Sequence, residues 1–235
     1  MKREPYLIEV VASTVHSCKE AELGGAGRIE LCSALGAAGI TPSSGLLEIV
    51  KRHIHIPVFV MIRPREGDFT YSNTEVEVMK REIDLLGASG ADGFVFGALL
   101  PDRTIHTSLV RELVNHCGDL PVTFHRAIDC ADNLIQAVEE IASSGCQRIL
   151  TSGGKKSAPE GIETILAMHE AARGKVNIMP GGGIKPELFS QIYRNELTEY
   201  HLSGRMPFFS KTTSTVFEMD WFETVREAIE KVAFK

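Results

Sequence analysis

The sequence lacks the features of several large functional classes. It has no run of basic residues and no basic stripe interleaved with aromatic residues, and its formal net charge is -6, so nucleic acid is not an expected partner. No apolar stretch approaches the roughly 20 residues of a membrane span. The N-terminal segment also lacks the apolar core of an export signal. The sequence therefore predicts neither a nucleic-acid partner nor a membrane partner.

Paired cysteine motifs are absent as well. The chain has five cysteines, an odd number, and none of them shows CxxC spacing. This usage fits reduced thiols rather than a disulfide framework or a zinc ribbon. Together with the missing export signal, it predicts a cytoplasmic protein.

The sequence does contain a regular alternation of short β-type runs and amphipathic helical stretches. The predicted strands are Leu7–Ser13, Arg28–Ser33, Pro57–Pro64, Gly93–Ala98, Pro121–Ala127, Arg148–Gly153, Val176–Pro180 and Glu199–Ser203. Helices are predicted near 14–23, 43–53, 73–89, 105–116, 132–143, 159–172, 186–195 and 220–233. Eight such units favour an α/β fold with one closed parallel barrel over residues 1–235, with an open doubly wound sheet as the alternative.

Charged and polar side chains occur inside predicted strands, where a parallel barrel normally places Val, Ile and Leu. They are Glu9, Glu30, Arg63, His125 and His201. Because burying a charge is costly unless it is paired, we expect these side chains to contact one another near the C-terminal end of the barrel. Ligand sites of such barrels lie at that end. The residues are candidates for a catalytic acid–base or ligand-binding cluster, with an ion-pair network that fills the barrel as the alternative.

The glycine-rich run VNIMPGGGI is a second candidate site. It places Gly181, Gly182 and Gly183 after strand seven, and Gly204 and Arg205 follow strand eight. Barrels of this kind often hold a phosphate in these two loops. Glycine N–H groups and a following helix N-terminus suit an anion. We therefore expect these residues to bind a small anionic ligand, with a tight strand-to-helix turn as the alternative. The long loop 204–219 is a candidate lid.

Candidate metal ligands fall into two groups. Cu(I) prefers thiolates and thioethers, and Cys32 lies near the C-terminal end of strand two, with Met61 as a possible second ligand on strand three. The carboxylates and histidines of the strand cluster instead suit a harder ion such as Zn²⁺ or Mn²⁺. No spacing motif selects between the two groups.

Several blocks of the sequence occur in a fixed order: RIELCS, TPS, PVFVMIRPR, GADGFVFGAL, LPVTFHRAID, RILTSG and MPGGGI. They run through most of the chain, from about residue 7 to 203, and in this order they resemble the CutC family of copper homeostasis proteins. The resemblance implies a cytoplasmic TIM barrel that self-associates, as a dimer or a tetramer, and that takes part in copper homeostasis through Cu(I) binding.

One position departs from the family pattern. Members with a proposed copper site have a cysteine in the first strand, two residues after the glutamate, and a second cysteine in the ELCS block. Here the second is Cys32, but the first position is Val11. A two-thiolate site of that kind cannot form, so Cys32 is expected to bind Cu(I) weakly. Two functions stay open: copper handling, and an enzyme that acts on a small anionic metabolite, phosphorylated or not.

Overall fold

The computed structural model describes residues 6–185 and 188–203, and within them eight parallel strands alternate with seven helices. The strands are β1 (Leu7–Ala12), β2 (Arg28–Leu31), β3 (Val58–Met61), β4 (Gly93–Phe96), β5 (Val122–Phe124), β6 (Arg148–Thr151), β7 (Asn177–Pro180) and β8 (Glu199–Ser203). The helices are α1 (Val15–Leu23), α2 (Ser44–His53), α3 (Asn73–Ala88), α4 (Thr107–His116), α5 (Leu134–Ser143), α6 (Ile162–Ala172) and α7 (Phe189–Ile192). The predicted loop 204–219 and the helix near 220–233 lie outside the described residues.

The strands form a nearly closed barrel. Each of β1 to β6 pairs in parallel with the next strand along the chain, and β8 returns to pair with β1. Between β7 and β8 the contact is a single parallel bridge that joins Gly181 and His201. The predicted α/β barrel, a TIM barrel, is therefore confirmed.

The first six predicted strands were too long at their C-terminal ends, most clearly β5, whereas β7 and β8 end at the predicted residues. The prediction placed His125 inside this strand, but β5 ends at Phe124 and a 3-10 turn covers Arg126–Cys130. The reason is local, because the His125 ring accepts a hydrogen bond from the Ala127 amide and so caps the turn.

The helix predicted at 186–195 was also too long. Only α7 is helical in the described part of this segment, and Tyr193 has extended backbone angles. The Tyr200 hydroxyl accepts a hydrogen bond from the Arg194 amide at 3.0 Å and donates one to the Arg194 carbonyl at 3.1 Å. These two bonds hold the Arg194 backbone outside a helix.

The outer helices follow ordinary capping and packing rules. At α3 the Ser72 hydroxyl accepts a hydrogen bond from the Glu75 amide, and the Glu75 carboxylate accepts one from the Ser72 amide. Met79, Ile83 and Leu86 form the stripe of α3 that is buried against the barrel. None of the helices in the described part of the chain is long and apolar enough to cross a membrane.

An ion-pair layer fills the barrel near the N-terminal ends of its strands. Arg28 donates hydrogen bonds to Glu9 and, at 2.5 Å, to Glu199. Arg148 binds the same Glu199 carboxylate at 2.5 and 3.0 Å. The Phe59 ring contacts both guanidinium groups, 4.8 Å from that of Arg28 and 5.4 Å from that of Arg148. The charged side chains in this part of the barrel interior therefore neutralise one another.

We predict that Arg28→Met lowers the free energy of unfolding by about 3–5 kcal/mol, because it removes the permanent positive charge that compensates the fully buried Glu9 and leaves His201 as its partner. Urea unfolding followed by circular dichroism measures the change. The matched control is Arg103→Met, which breaks an exposed pair with Asp132 and should cost less than about 1 kcal/mol. Equal effects of the two substitutions would contradict this role of the buried layer.

Candidate functional site

The C-terminal ends of the strands surround a cavity of about 480 Å³. Four members of the predicted polar cluster line it, namely Glu30, Arg63, His125 and His201. Glu9, the fifth, is fully buried beneath it and contacts His201. The volume lies in the range of sites for small molecules. The structure therefore places all five candidate residues at or just below one cavity.

Strand register brings Glu9, Glu30 and His201 together. Glu9 stands opposite His201 in the pairing of β1 with β8, and Glu30 stands opposite Val11 in the pairing of β1 with β2. Their side chains point into the barrel. Glu9 Oε1 lies 2.7 Å from His201 Nδ1, and His201 Nε2 lies 3.8 Å from Glu30 Oε2. One imidazole thus stands between two carboxyl groups.

The three groups differ in protonation because their neighbours differ. Burial by itself raises the pKa of Glu9, but Arg28 and His201 outweigh it and lower that pKa to about 2. Burial raises the pKa of Glu30 to about 7, and the negative charge of Glu9 adds to the effect against the opposing charge of His201. Burial lowers the pKa of His201, but Glu30 and Glu9 outweigh it and raise that pKa. Glu30 is therefore the carboxyl group that changes protonation near neutrality.

His125 is held as a neutral imidazole. Burial, with the positive charge of Arg63, lowers the pKa of His125 to about 3. Its Nδ1 accepts the Ala127 amide at 3.3 Å, so the ring proton lies on Nε2. A Cβ at Gly97 would lie 2.6 Å from Nδ1, so the backbone there must be glycine for the ring to fit. Phe69 packs against the ring, with 4.9 Å between the centroids.

Three buried polar atoms of residues that line the cavity have no hydrogen-bond partner within the described ranges. They are Glu30 Oε1, an acceptor when ionised, and two donors, His125 Nε2 and Arg63 Nε. Leaving such groups unpaired costs about 1–3 kcal/mol each. Unpaired buried groups on residues that line a cavity indicate a position for a ligand.

The partners of Arg63 are backbone carbonyls rather than the side chains of the other cluster members. Its guanidinium donates to the carbonyls of Ala37, Gly39 and Gly67 at 2.9, 3.0 and 2.7 Å. The group also lies over the Phe69 ring, 4.9 Å from its centroid. Arg63 therefore fixes the loops after β2 and β3 and gives the cavity a positive wall, without an ion pair to Glu9 or Glu30.

The glycine turn after β7 only partly matches the predicted anion site. The Gly181 N–H donates to the Thr151 carbonyl at 2.8 Å, so it is committed to the sheet and cannot face an anion. Gly182 and Gly183 line the cavity, and both have positive φ. Gly204 and Arg205 lie outside the described residues. Two glycines of the turn, Gly182 and Gly183, therefore remain as candidate anion-binding residues, whereas the sequence predicted three in this turn.

Arg126 supplies the positive charge beside this turn, a role that the sequence analysis missed. A Cβ on Gly182 would lie 2.7 Å from Arg126 Nη1, so the guanidinium packs directly on the glycine backbone. Its Nε binds Asp129 at 2.8 Å and its Nη2 binds Ser152 at 2.7 Å. The contact joins loops that follow β5 and β7, and no local sequence pattern indicates it.

The carboxylate–histidine cluster does not suit a hard metal ion. Ligand atoms of Glu9, Glu30 and His201 all lie within 4.8 Å of one another, which meets the geometric requirement. However, the Glu9 oxygens already accept hydrogen bonds from Arg28 and His201, and the Arg28 charge would repel a cation. The donor set fits a proton-sharing network better than Zn²⁺ or Mn²⁺.

Two sulfur-containing side chains, Cys32 and Met61, lie near Gly39 in one buried cluster that lines the cavity. The position of a Cβ on Gly39 would be 3.3 Å from Cys32 Sγ and 3.6 Å from Met61 Cε. Both side chains are buried and line the cavity, as does Val11. A thiol and a thioether are the ligand types that Cu(I) prefers. The residues present therefore supply one thiolate and one thioether ligand for Cu(I). The aliphatic side chain of Val11 supplies no ligand.

We predict that Glu30→Gln stabilises the protein more as the pH rises. The pKa of Glu30 is about 7 when folded against an ordinary value of 4.5. Between these values the folded state holds a proton that the unfolded state has lost, so stability falls as pH rises through this window. Glu30→Gln removes that loss and should raise the melting temperature by roughly 5 °C at about pH 8, but hardly at about pH 4.5.

The matched control is Glu77→Gln, which changes an exposed glutamate on α3. Its melting temperature should follow that of the unchanged protein at every pH. A difference between Glu30→Gln and the unchanged protein that stays constant with pH would show that Glu30 is not titrating near neutrality.

Comparison with known proteins shows which family this chain is similar to. The family model described as "CutC family" matches residues 6–206. The copper homeostasis protein cutC homolog of Mus musculus is 50% identical over 201 residues, which cover 85% of this chain and 74% of that protein. Its Homo sapiens counterpart is 49% identical over the same length and coverage. A crystal structure of a copper homeostasis protein CutC from Streptococcus agalactiae matches with a TM-score of 0.80 and 29% identity, covering 85% of this chain and 99% of that one.

Proposed function

Because this chain belongs to the CutC family, we propose that it takes part in copper homeostasis and binds Cu(I) weakly through Cys32, with Met61 as the second ligand. The observation that carries the proposal is the approach of both sulfur side chains to Gly39 on one wall of the cavity. A thiolate and a thioether are soft ligands, which select Cu(I) over harder ions. The role in copper homeostasis itself is taken from the names of the relatives.

We also propose that the protein is located in the cytoplasm, where thiols stay reduced and Cys32 can coordinate as a thiolate. Burial at Cys32 keeps competing oxidants away from the sulfur. Self-association as a dimer or tetramer stays a prediction that rests on the family resemblance.

We predict that Cu(I) binds weakly to the unchanged chain and that Val11→Cys tightens binding by at least tenfold, because it adds a second thiolate to the cavity. Cys32→Ala should abolish binding and Met61→Leu should weaken it. Competition with a chromophoric Cu(I) chelator measures all four affinities under reducing conditions.

The matched control is Cys130→Ala, since Cys130 also lines the cavity but is exposed. This substitution should leave the affinity unchanged. Tight one-to-one binding by the unchanged chain, or binding that is lost in Cys130→Ala and kept in Cys32→Ala, would contradict the assignment.

A second candidate function is acid–base catalysis on a small anionic metabolite. The observation that favours it is that Glu30 Oε1 and His125 Nε2, of two residues that line one cavity, are buried and have no hydrogen-bond partner in the described part of the chain. A carboxyl group whose pKa is about 7 can both take and return a proton at neutral pH. Arg126, beside Gly182, offers positive charge to an anionic group at the rim.

We predict that a phosphate or sugar phosphate present at about ten times its dissociation constant stabilises the fold by about 1.4 kcal/mol. The melting temperature should then rise by roughly 4 °C. Arg126→Gln should remove most of this rise, whereas Arg52→Gln, on the exposed face of α2, should keep it. A rise that is the same in all three proteins would place the anion elsewhere.

A further inference from the structure

We propose that the cavity binds a small amphiphilic anion, a phosphate ester of an aromatic or branched aliphatic alcohol, with its phosphate at Arg126 and its apolar body on the opposite side of the barrel. The inference rests on the second candidate function, a site for a small anionic metabolite, and names the chemical class of that metabolite. It follows from which side chains line the cavity and from where charge and apolar surface lie around the barrel.

Arg126 is placed to bind the anionic end of such a ligand. Its Nε donates to Asp129 at 2.8 Å and its Nη2 donates to Ser152 at 2.7 Å, whereas Nη1 makes no hydrogen bond to the described residues. Nη1 lies against the backbone of Gly182, where a Cβ would be only 2.7 Å away, and both residues line the cavity. The guanidinium group is therefore fixed by two nitrogens, while the third can donate to a phosphate oxygen.

The carboxylate of Asp129 has other donors besides Arg126. It accepts hydrogen bonds from the Thr151 hydroxyl at 2.6 Å and from the Ser152 and Gly154 amides, each at 3.1 Å. These donors belong to β6 and to the loop after it, and they stabilise the negative charge of Asp129 on that side. Arg126 therefore keeps positive charge for a second anion at the glycine turn.

An apolar wall forms another side of the cavity. It consists of Val11 on β1, Met61 on β3, and Leu35 and Ala38 in the loop after β2. Val11 and Leu35 are partly buried and pack against the same buried cluster, to which Met61 belongs. Removing apolar ligand surface from water against such side chains is favourable, and the flexible Met61 side chain can adapt to the shape of the ligand.

Phe69 lines the cavity and packs against two of its polar side chains. Its ring centroid lies 4.9 Å from the Arg63 guanidinium carbon and 4.9 Å from the centroid of the His125 ring. The unpaired Arg63 Nε and His125 Nε2 are themselves buried, so they add little accessible hydrogen-bonding surface to the cavity. A polyol ligand would lose hydrogen bonds to water here without replacing them, which favours an apolar body.

The charged and apolar sides lie across the barrel from one another. Around the nearly closed barrel, β2 and β6 are four strands apart in both directions. The loop of Leu35 follows β2, whereas Arg126 follows β5 and Gly182 follows β7, on either side of β6. A ligand bound at Arg126 therefore meets the apolar wall with the end remote from its phosphate. The cavity of about 480 Å³ is large enough for such a small molecule.

The test compares ligands that share one end and differ at the other. Phenyl phosphate and glycerol 1-phosphate are similar in size, phenol lacks the phosphate, and inorganic phosphate lacks the body. We expect phenyl phosphate to bind about tenfold or more tightly than glycerol 1-phosphate, because its ring buries apolar surface. Phenol and inorganic phosphate should each bind more weakly than phenyl phosphate. Isothermal titration calorimetry measures all four dissociation constants.

Two variants test the two ends of the site separately. Arg126→Gln should weaken the binding of both phosphate esters about tenfold or more. Leu35→Asn should weaken phenyl phosphate about fivefold and leave glycerol 1-phosphate unchanged. The matched controls are Arg52→Gln on α2 and Leu85→Asn on α3, which change exposed side chains and should leave both affinities unchanged. Circular dichroism checks that each variant is folded.

Methyl NMR of the unchanged protein locates the apolar body without any variant at the wall. The ring of phenyl phosphate should shift the resonance of the Met61 methyl group, which Met61→Leu assigns. Glycerol 1-phosphate has no aromatic ring and should leave this resonance nearly unchanged. Met79 is the control within the same spectrum, because it lies on α3 outside the barrel interior and should not shift with either ligand.

The outcomes separate this inference from the function on which it rests. Equal affinities for phenyl phosphate and glycerol 1-phosphate, both lost in Arg126→Gln, overturn the apolar body and leave the anion site in place. Phenyl phosphate that binds Arg126→Gln with unchanged affinity, or that leaves the Met61 methyl unshifted, also overturns the inference. If neither phosphate ester nor inorganic phosphate binds, both the inference and the second candidate function are overturned.

Discussion

The ion pair between Arg28 and Glu9 sets the charge at the floor of the cavity, where Glu9, His201 and Glu30 meet. Glu9 is fully buried, and a carboxyl group in such a place would normally hold its proton. Arg28 reverses this and keeps Glu9 ionised. The negative charge of Glu9 then holds His201 by a hydrogen bond of 2.7 Å and adds to the burial that raises the pKa of Glu30. Without Arg28, the pKa of the buried Glu9 would rise, and the floor of the cavity would carry less negative charge.

The layer around Arg28 shows why a polar interior can be stable in this barrel. Arg28 and Arg148 share the Glu199 carboxylate, and Phe59 packs against both guanidinium groups. Each charge is therefore compensated, which offsets the desolvation that burial of a single ion would require. The layer leaves Glu30 as the carboxyl group without full compensation, and Glu30 is the one that faces the cavity.

The sequence predicted the order of strands and helices because strand and helix periodicity are local properties. It also predicted an inward-facing polar set, since Glu9, Glu30 and His201 interrupt apolar strands. It also predicted that these three side chains contact one another, but it did not predict the arginine that binds Glu9. Arg28 and Glu199 lie at the beginnings of strands and are 171 residues apart, and only closure of the barrel brings them together.

Other features depend on contacts between loops, which no local pattern encodes. Arg63 is a charged residue at a strand end, and the sequence could not show that backbone carbonyls bind it instead of carboxylates. The contact of Arg126 with Gly182 joins loops after different strands. The neutral state of His125 depends on the turn that follows β5, where the strand was predicted to continue.

The most direct measurement is the titration of the glutamate side-chain carboxyl carbons by ¹³C NMR in protein labelled at that position. The structure predicts a resonance that titrates near pH 7, that is absent in Glu30→Gln, and that moves to lower pH when Glu9→Gln removes the neighbouring negative charge. If all glutamate resonances of the unchanged protein titrate below about pH 5, Glu30 is an ordinary carboxylate and cannot be the base proposed for this cavity.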